Sequence, residues 1–422
     1  MQDISAPNIL GRQPKRAKAK QGMWVALGVM FVLAFAVSYA LVIRVGSDLG
    51  IHTDWALEGD FLNPRTFFRH GAHPMWHMMV ALIALTGMPV KLSAALITAL
   101  LKTAGLRLIH RLMTAYWGER FNAWRIILAA FACAMVSALC LPPINPAVYI
   151  GVGSPNPWHS PTQMIVLVFM FLCVPYTAYC YAEFQRRLPQ EGRGVSLPRK
   201  QAALLSALLV LSLAAKPTFM QTFLPAACLY FLGQWIRHPR NSRYFGQMIL
   251  AVLPAVLLMV LQYLYYFGVI VPSQGNMILD AAWVKVWPRL RAVLLVEAFP
   301  LYVLALCLFK GLWKNLWKDP LMALTLLMNA VGVLEYLILG EDGRRASDGN
   351  FGWGMMGAAL MFWVMMMIRF HSLWAEEKAK RGSGQPGIGV ASAYVAGTVL
   401  LLWHAASGMY YVGFLLSTQN LL

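Results

Sequence analysis

Apolar residues occur along this chain in runs of about 20, and short polar segments separate the runs. A hydrocarbon core of roughly 30 Å needs about 20 apolar residues per helix, so each run is long enough, or nearly so, to cross a membrane. We therefore predict an all-α, polytopic transmembrane helix bundle with about 11 spans. The predicted spans cover residues 22–43, 89–111, 125–142, 163–185, 201–216, 219–236, 245–268, 292–309, 320–339, 354–371 and 388–411.

The apolar segment 74–88 is shorter than the other runs, begins at Pro74 and stops beside Pro89. The basic residues decide whether it crosses the membrane. If it crosses, Arg107 and Arg125 lie outside the cell and every later basic loop changes side with them. If it returns to the face where it began, all basic loops are cytoplasmic, as the positive-inside bias requires. We therefore predict a re-entrant or interfacial half-helix, which is tolerated where protein covers its ends.

This topology assigns a side to each segment. The basic N-terminus, 1–21, is predicted to be cytoplasmic, and the bundle covers 22–375. A polar cytoplasmic linker, 376–387, precedes the last transmembrane helix and C-terminus, 388–422. The outer-face loops are 44–73, 142–162, 269–291 and 340–353. Within the third of them, the amphipathic stretch 269–292 predicts a helix that lies on the membrane surface.

The composition narrows the function classes. Hydrophobic residues make up 59% of the chain and charged residues 12%, and the mean hydropathy of +0.58 is far above that of a soluble globular domain. The net charge of +18 comes from short basic runs beside apolar spans, so we predict contact with membrane lipids and no nucleic-acid partner. The six cysteines lie in apolar spans without C-x-x-C spacing, which indicates neither a disulfide framework nor a zinc site.

The first outer loop carries three carboxylates within seven positions, at Asp54, Glu58 and Asp60. If the loop is helical, Asp54 and Glu58 are separated by four residues and lie on one face. Such acids are candidates for general-base chemistry. The alternative interpretation is an ordinary solvated loop between two membrane helices.

The second outer loop, 151–162, contains three prolines and two glycines in addition to Asn156, Trp158 and His159. The prolines favour a rigid, non-helical course that holds these side chains in one geometry. An indole face suits a sugar ring, and an amide or imidazole suits its hydroxyls. The alternative is a well-ordered turn in which Trp158 anchors the loop at the membrane interface.

Cations follow in two further outer segments. Lys216 lies at a tight turn after an apolar span, where it can pair with a phosphate or extend to water. Arg344 and Arg345 lie in the fourth loop, on the face where basic residues are disfavoured, and Asn350 follows them. Guanidinium groups present planar pairs of donors that suit phosphate oxygens. The alternative is a structural salt-bridge cluster with the acids of the same loop.

This layout resembles that of the GT-C glycosyltransferases, polytopic enzymes that use polyprenyl-phosphate or polyprenyl-diphosphate sugar donors at the outer face. Their usual mark, one or two acids in the first outer loop, is matched by Asp54 with Glu58 or Asp60 nearby. The spacing D-x-x-x-E-x-D differs from an adjacent acid pair, which leaves open which acid is the base and whether a divalent metal is bound. Three motifs resemble those of a group of poorly characterised bacterial membrane proteins of this type: S-P-N-P-W-H-S-P-T (154–162), K-P-T-F (216–219) and E-D-G-R-R-x-x-D-G-N-F-x-W (341–353).

The leading hypothesis is an inverting glycosyltransferase of the bacterial cytoplasmic (inner) membrane. It would move a sugar from a polyprenyl-phosphate-linked donor to an envelope glycan or lipid acceptor at the extracytoplasmic face. In this hypothesis Asp54 is the favoured base, supported by Glu58 or Asp60; Arg344, Arg345 and Lys216 hold the donor phosphate; and Asn156, Trp158, His159 and Asn350 shape the sugar or acceptor site.

Two other classes fit the sequence. One is a transporter, flippase or polymerase-like protein for lipid-linked saccharides without base catalysis, for which the intramembrane Glu297 and Glu335 would matter most. The other is a structural subunit of an envelope assembly. No metal ligand set is indicated, since the histidines at 70, 73 and 77 are interpreted as interfacial. The sugar, the acceptor and the oligomeric state are left open.

Overall fold

The computed structural model describes residues 17–44, 47–59, 73–141, 153–266, 275–343, 349–380 and 388–417. Helices dominate these ranges, and the two short strands β1 (Met277–Leu279) and β2 (Leu339–Glu341) form an antiparallel pair. The helices are α1 (Ala17–Ile43), α2 (Asp48–Glu58), α3 (Met75–Ala84), α4 (Val90–Trp117), α5 (Ala123–Met135), α6 (Pro161–Glu191), α7 (Arg199–Ala215), α8 (Thr218–Arg237), α9 (Ser242–Tyr266), α10 (Trp283–Phe309), α11 (Trp313–Lys318), α12 (Pro320–Ile338), α13 (Asn350–Lys380) and α14 (Ile388–Ser417).

Eight helices in the described ranges are long and apolar enough to cross a membrane, namely α1, α4, α6, α9, α10, α12, α13 and α14. The prediction of an all-α polytopic bundle is confirmed. The predicted spans 125–142, 201–216 and 219–236 overlap α5, α7 and α8. These three helices are shorter or less apolar than the eight named above. α13 lies at the centre of the bundle, because its side chains are almost all buried from Phe351 to Phe370.

The segment 74–88 contains α3, whose 10 residues are too few to cross, since they span about 15 Å. α3 packs beside α2 through a contact between His77 and His52. α4 follows it and runs to the far end of the bundle. There Tyr116 donates a hydrogen bond to the Asp319 carboxylate (2.7 Å), just before α12 begins. The return of this half-helix to the side on which it began stays a prediction.

The described part of the third outer loop holds no separate surface helix, contrary to the prediction for 269–292. α10 is continuous from Trp283, and Trp283 and Trp287 stack on its exposed face with ring centroids 5.8 Å apart. The Arg289 guanidinium pairs with the Asp280 carboxylate (2.6 Å) and donates to the carbonyl of Leu337 (3.2 Å). The amphipathic pattern therefore belongs to the first turns of a membrane-length helix that is tied to the end of α12.

The first residues of the predicted linker 376–387 are helical, because α13 continues through Lys380. Residues 381–387 lie outside the described ranges. Ion pairs support the extra turn. Glu376 pairs with Arg369 (3.0 Å), and Glu377 pairs with Lys310 (2.9 Å) at the end of α10. The polar composition that indicates a linker therefore reflects charged side chains on helical turns that extend beyond the buried core.

The last helix, α14, packs against the segment that follows α5. The Ser137 amide donates to the carbonyl of His404 (3.3 Å), and Nδ1 of His404 lies 2.7 Å from the Ser137 carbonyl oxygen. The two backbones come closest at Gly408, where a Cβ atom would lie 1.7 Å from the Met135 carbonyl oxygen. A side chain at this position is incompatible with the observed packing.

Replacing Gly408 with Ala is therefore expected to separate α14 from α5 and to destabilise the fold by about 1–3 kcal/mol, the usual cost of overpacking. The measurement is the apparent melting temperature of the purified protein in detergent, followed by tryptophan fluorescence. Gly413→Ala is the matched control on the same helix, because a Cβ there meets nothing within 4 Å. Equal melting temperatures for the two variants would show that the contact at Gly408 is not tight.

Candidate functional site

Loops from distant parts of the sequence meet at one end of the bundle, which we call the site end. Gln163 in the first turn of α6 donates to the carbonyl of Trp353 in α13 (2.9 Å) and accepts from the hydroxyl of Thr218 in α8 (3.2 Å). α2 reaches the same region, because the Asp48 carboxylate acts electrostatically on Lys216. The first outer segment, the start of α6, the turn before α8 and the start of α13 therefore share one location.

Asp48 is positioned by the cap of α2. The Ser47 hydroxyl accepts a hydrogen bond from the Gly50 amide (3.3 Å) and donates to the carbonyl of Leu41 in α1 (3.1 Å). This cap starts α2 directly after α1 and puts Asp48 in the first helical turn, where the free N–H groups stabilise a negative charge. The side chain of Asp48 is 35% exposed, so its carboxylate is accessible to a reactant.

Two histidines lie behind Asp48. Nε2 of His52, one helical turn along α2, is 3.5 Å from Oδ1 of Asp48. Nδ1 of His52 is 2.9 Å from Nε2 of His77 on α3. Burial, with smaller contributions from His77 and Lys216, lowers the pKa of His52 well below its ordinary value, so its imidazole is neutral at pH 7.

Lys216 is buried at the turn between α7 and α8, with 9% of its surface exposed. Its Nζ atom lies 4.6 Å from the centroid of the Trp353 ring, and its ammonium group has no hydrogen bond or ion pair with any described residue. Burial lowers the pKa of Lys216 to about 8, and the Asp48 carboxylate opposes this shift. A buried cation without an acceptor indicates a place for an anion.

Lys102, in the first half of α4, has a similar environment. Only 8% of its surface is exposed, and its Nζ atom lies 4.2 Å from the centroid of the Trp158 ring. The described residues supply no hydrogen-bond acceptor or carboxylate to it either. Each lysine therefore rests on the face of an indole, a favourable but incomplete compensation for burial.

Both lysines act electrostatically on His159, which lies before α6. Its Nδ1 atom is 2.8 Å from the hydroxyl of Tyr411 on α14, and its ring centroid is 5.6 Å from that of Trp353. Burial lowers the pKa of His159 to about 4, Asp48 raises it and the lysines lower it further, so the ring is neutral at pH 7. Its buried Nε2 atom has no hydrogen-bond partner among the described residues.

Other buried polar atoms of the site end are also unsatisfied within the described ranges. They are Nε1 of Trp76, Nε1 of Trp158, Oγ of Ser160 and Oγ1 of Thr162. A buried polar atom without a partner costs about 1–3 kcal/mol. Native structures keep such groups chiefly at functional sites or beside bound water and ligands. The site end therefore offers donors and acceptors that a polar ligand can use.

Asn156 anchors the loop rather than pointing a free amide into the site. Its Nδ2 atom donates to the carbonyls of Cys133 and Val136, each at 2.9 Å. These carbonyls belong to the last turn of α5, where helical partners end. The bond fixes the loop on α5 and thereby fixes the positions of Trp158 and His159. A direct contact between Asn156 and a sugar stays a prediction.

Two narrow clefts adjoin these side chains. One is lined by residues that include His159, Trp353 and Tyr411. The other lies between α6, α8 and α13 and includes Gln163 and Thr222 in its lining. Both touch Trp353, the indole that Lys216 contacts.

The remaining predicted residues are not all brought to this place. Asp54 and Glu58 lie on the exposed face of α2, turned away from the buried His52. Asn350 is half-buried, and its amide donates to the Glu341 carboxylate across the base of the fourth loop. Asp60, Arg344 and Arg345 lie outside the described residues. The roles of all six stay predictions.

The described residues contain no group of three or more His, Cys, Asp or Glu side chains that could hold a metal ion. Four residues of the site were missed by the sequence reasoning: Asp48, His52, Lys102 and Tyr411. Asp48 and His52 carry a usable signal, an acid and a histidine four residues apart after a Ser cap. Lys102 carries one too, since a lysine inside an apolar span is expensive unless it has a function.

Among known proteins, similarity to this chain is found only at the level of solved structures. No protein-family model matches the chain, and no curated protein matches it. Among solved structures, the chain is similar to the crystal structure of ArnT from Cupriavidus metallidurans bound to undecaprenyl phosphate, at 12% identity and a TM-score of 0.47, over 94% of this chain and 76% of that chain. It is similar to the apo structure of the same protein at 13% identity and a TM-score of 0.47, over 95% and 77% of the two chains. Similarity at these values assigns neither a family nor an activity to this chain.

Proposed function

We propose that this protein is a membrane glycosyltransferase that takes a sugar from a lipid-phosphate donor and transfers it to a hydroxyl of a glycan or lipid acceptor. The single observation that carries the proposal is the grouping of an accessible carboxylate, Asp48, with two buried lysines that lack acceptors among the described residues. A displacement at a sugar carbon needs both a base for the incoming hydroxyl and a cation for the departing phosphate.

Asp48 is the base that the geometry favours. The acceptor oxygen attacks the anomeric carbon and its proton passes to the Asp48 carboxylate, which becomes a carboxylic acid. The bond between the anomeric carbon and the phosphate oxygen breaks, and the electron pair leaves with the phosphate. Asp48 suits this role better than Asp54, because it faces Lys216 and His159 whereas Asp54 lies on the exposed face of α2.

Lys216 and Lys102 hold the phosphate and stabilise the charge that develops on it. Two buried lysines lie here with one carboxylate, and His52 and His159 are neutral. Basic side chains therefore outnumber acidic ones in this group, which favours the negative charge of a lipid phosphodiester. Ammonium groups with low exposure interact strongly with an anion, because little water screens them.

We take the site end as the extracytoplasmic end. The opposite end holds basic side chains that include Arg125, Lys310 and Arg369, in contact with α13. This distribution follows the positive-inside bias and supports a cytoplasmic N-terminus in the bacterial inner membrane. A lipid-linked donor would then meet its acceptor in the outer leaflet.

The test is turnover of a lipid-linked donor by the purified protein in proteoliposomes. Lipid-linked sugars extracted from bacterial membranes are supplied with a lipid and glycan extract as acceptor, and released undecaprenyl phosphate is measured by mass spectrometry. The proposal expects protein-dependent release together with a glycosylated product. Binding of the donor with no release under any acceptor extract would contradict the assignment as a transferase and favour a transporter of lipid-linked saccharides.

Lys216 also predicts how binding depends on pH. Its pKa of about 8 means that the cation is lost as the pH rises through 8. The phosphate of undecaprenyl phosphate is already fully ionised there, since the second pKa of a phosphate monoester is about 6. Affinity for undecaprenyl phosphate in nanodiscs is therefore expected to fall between about pH 8 and 9.5, by up to about tenfold per pH unit. In Lys216→Arg the fall should vanish, because a guanidinium stays charged. An equal fall in both proteins would exclude Lys216 as the titrating group.

A further inference from the structure

Behind Asp48 lies a pair of histidines that the proposed reaction does not use directly. His52 and His77 come from two different helices, α2 and α3, and their ring nitrogens Nδ1 and Nε2 are 2.9 Å apart. The other nitrogen of His52, Nε2, is 3.5 Å from the Asp48 carboxylate. The three side chains therefore form a chain of contacts that begins at the base.

The protonation of this chain follows from its contacts. His52 is neutral, so one of its nitrogens carries hydrogen and the other accepts. A lone pair on Nε2 would repel the carboxylate, whereas an N–H there donates to it. With hydrogen on Nε2, Nδ1 of His52 must accept, and Nε2 of His77 must be the donor. His77 thus stabilises, together with the carboxylate itself, the tautomer of His52 that donates to Asp48.

We propose that His52 and His77 are positioning residues that hold the Asp48 carboxylate in the orientation needed for the proton transfer of the proposed reaction. The inference rests on the proposed function. It also explains why α3 is present as a half-helix, since α3 carries His77 to the back of α2. A distance of 3.5 Å is long for a hydrogen bond, but catalytic hydrogen bonds in unliganded sites commonly shorten when the reactants bind.

Packing holds the pair in place. His52 is 7% exposed, and its ring meets the edges of Trp55 and Trp76 with centroids 4.8 and 6.3 Å away. Trp76 is fully buried beside His77 on α3. The imidazole of His52 therefore has little rotational freedom, as a positioning role requires.

The elements packed against α2 carry other titratable and charged groups. They are Arg44 at the end of α1, His73 before α3, Lys102 on α4, His159 before α6, Lys216 before α8, and Asp54 and Glu58 on the exposed face of α2 itself. Of these, Lys216 contributes to the lowered pKa of His52. His159 stays neutral at pH 7, because its pKa is about 4.

Loss of His77 removes the donor to Nδ1 of His52. In His77→Met, His52 can move its hydrogen to Nδ1 and present a lone pair to Asp48. The carboxylate is then repelled from its position, and kcat is expected to fall by about tenfold with little change in KM.

The experiment compares kcat and KM of wild type, His77→Met and His77→Gln in the proteoliposome assay at pH 7. Gln places an amide N–H where His77 Nε2 lies, so His77→Gln should keep the wild-type kcat. A second readout does not need turnover: nitrogen-15 NMR of histidine-labelled protein should show hydrogen on Nε2 of His52 in wild type and on Nδ1 in His77→Met. His52 is identified by the signal that disappears in His52→Gln.

These readouts separate the two proposals. If no sugar transfer occurs in wild type but the tautomer changes as expected, the proposed function fails and the histidine arrangement stands. If transfer occurs and His77→Met keeps the wild-type kcat and the wild-type tautomer, the positioning role is overturned. If His77→Gln loses as much activity as His77→Met while both melt at the wild-type temperature, the donor hydrogen bond is not what matters and the inference also falls.

Discussion

Asp48→Asn is expected to lower sugar transfer by about 10²–10⁴-fold, the range that a general base contributes. The amide is nearly the same size as the carboxylate, and the cap of α2 is made by Ser47, so the fold should persist. The amide has no basic oxygen that can accept the proton of the incoming hydroxyl. The measurement is the initial rate of undecaprenyl phosphate release from the lipid-linked donor in proteoliposomes.

Asp54→Asn is the matched control, because it makes the same change on the same helix at an exposed position. The sequence pattern favoured Asp54 as the base, so the pair of variants also decides between the two acids. We expect wild-type transfer in Asp54→Asn and loss in Asp48→Asn. The reverse result would identify Asp54 as the base. Wild-type activity in both variants would show that neither acid is the base.

Lys216→Met is expected to weaken the binding of undecaprenyl phosphate by about 10–100-fold, because a hydrogen bond to a charged group contributes about 1.5–3 kcal/mol. Lys102→Met is expected to have an effect of similar size. Both lysines are buried and have no acceptor in the described residues, so an apolar side chain of similar length should not destabilise the fold. Binding is measured by native mass spectrometry of the protein in nanodiscs over a range of lipid-phosphate ratios.

Lys91→Met is the control for these variants, since Lys91 lies on the same helix as Lys102 and is exposed. It removes an exposed positive charge rather than a buried one, and the affinity of the variant should equal that of wild type. Uniform losses in all three variants would mean that the lipid binds through general attraction to a cationic protein. Unchanged affinity in both Lys216→Met and Lys102→Met would show that these lysines do not bind the phosphate.

The transporter alternative depends on acids inside the bundle. Glu297 on α10 is 1% exposed and accepts a hydrogen bond from Nδ2 of Asn329 on α12 (2.9 Å). Glu335 is half-buried further along α12. Oε1 of Glu297 and Oδ1 of Asn329 have no hydrogen-bond partner among the described residues, as is also true of several atoms at the site end. The site end differs in having an accessible carboxylate and two buried lysines, which a transfer reaction needs, so this grouping favours the transferase.

The bundle could be predicted from the sequence because apolar run length has a direct physical meaning in a bilayer. Residues 89–111 and 320–339, for example, coincide closely with α4 and α12. The error for 269–292 has a local cause. Trp283 and Trp287 form an exposed stripe that is typical of a surface helix, but the ion pair of Arg289 with Asp280 lets the same turns extend a membrane helix.

The site was harder to predict because its members are defined by tertiary contacts. Lys216 and Trp158 were recognised from unusual local motifs, and both lie at the site end. Asp54 has the same chemistry as Asp48 and lies six residues further along, but the helical rotation turns it to the exposed face. The place of Lys102 in the site depends on its contact with Trp158, which lies more than fifty positions later in the sequence. No local pattern could reveal this contact.

The most direct test of the account is the structure, by electron cryomicroscopy, of the protein in nanodiscs with undecaprenyl phosphate. The account expects the phosphate at the site end, within about 3 Å of the Nζ atoms of Lys216 and Lys102, with Asp48 facing the same space. A phosphate bound at the other end of the bundle or on its lipid-facing surface, with the two lysines still unoccupied, would contradict it.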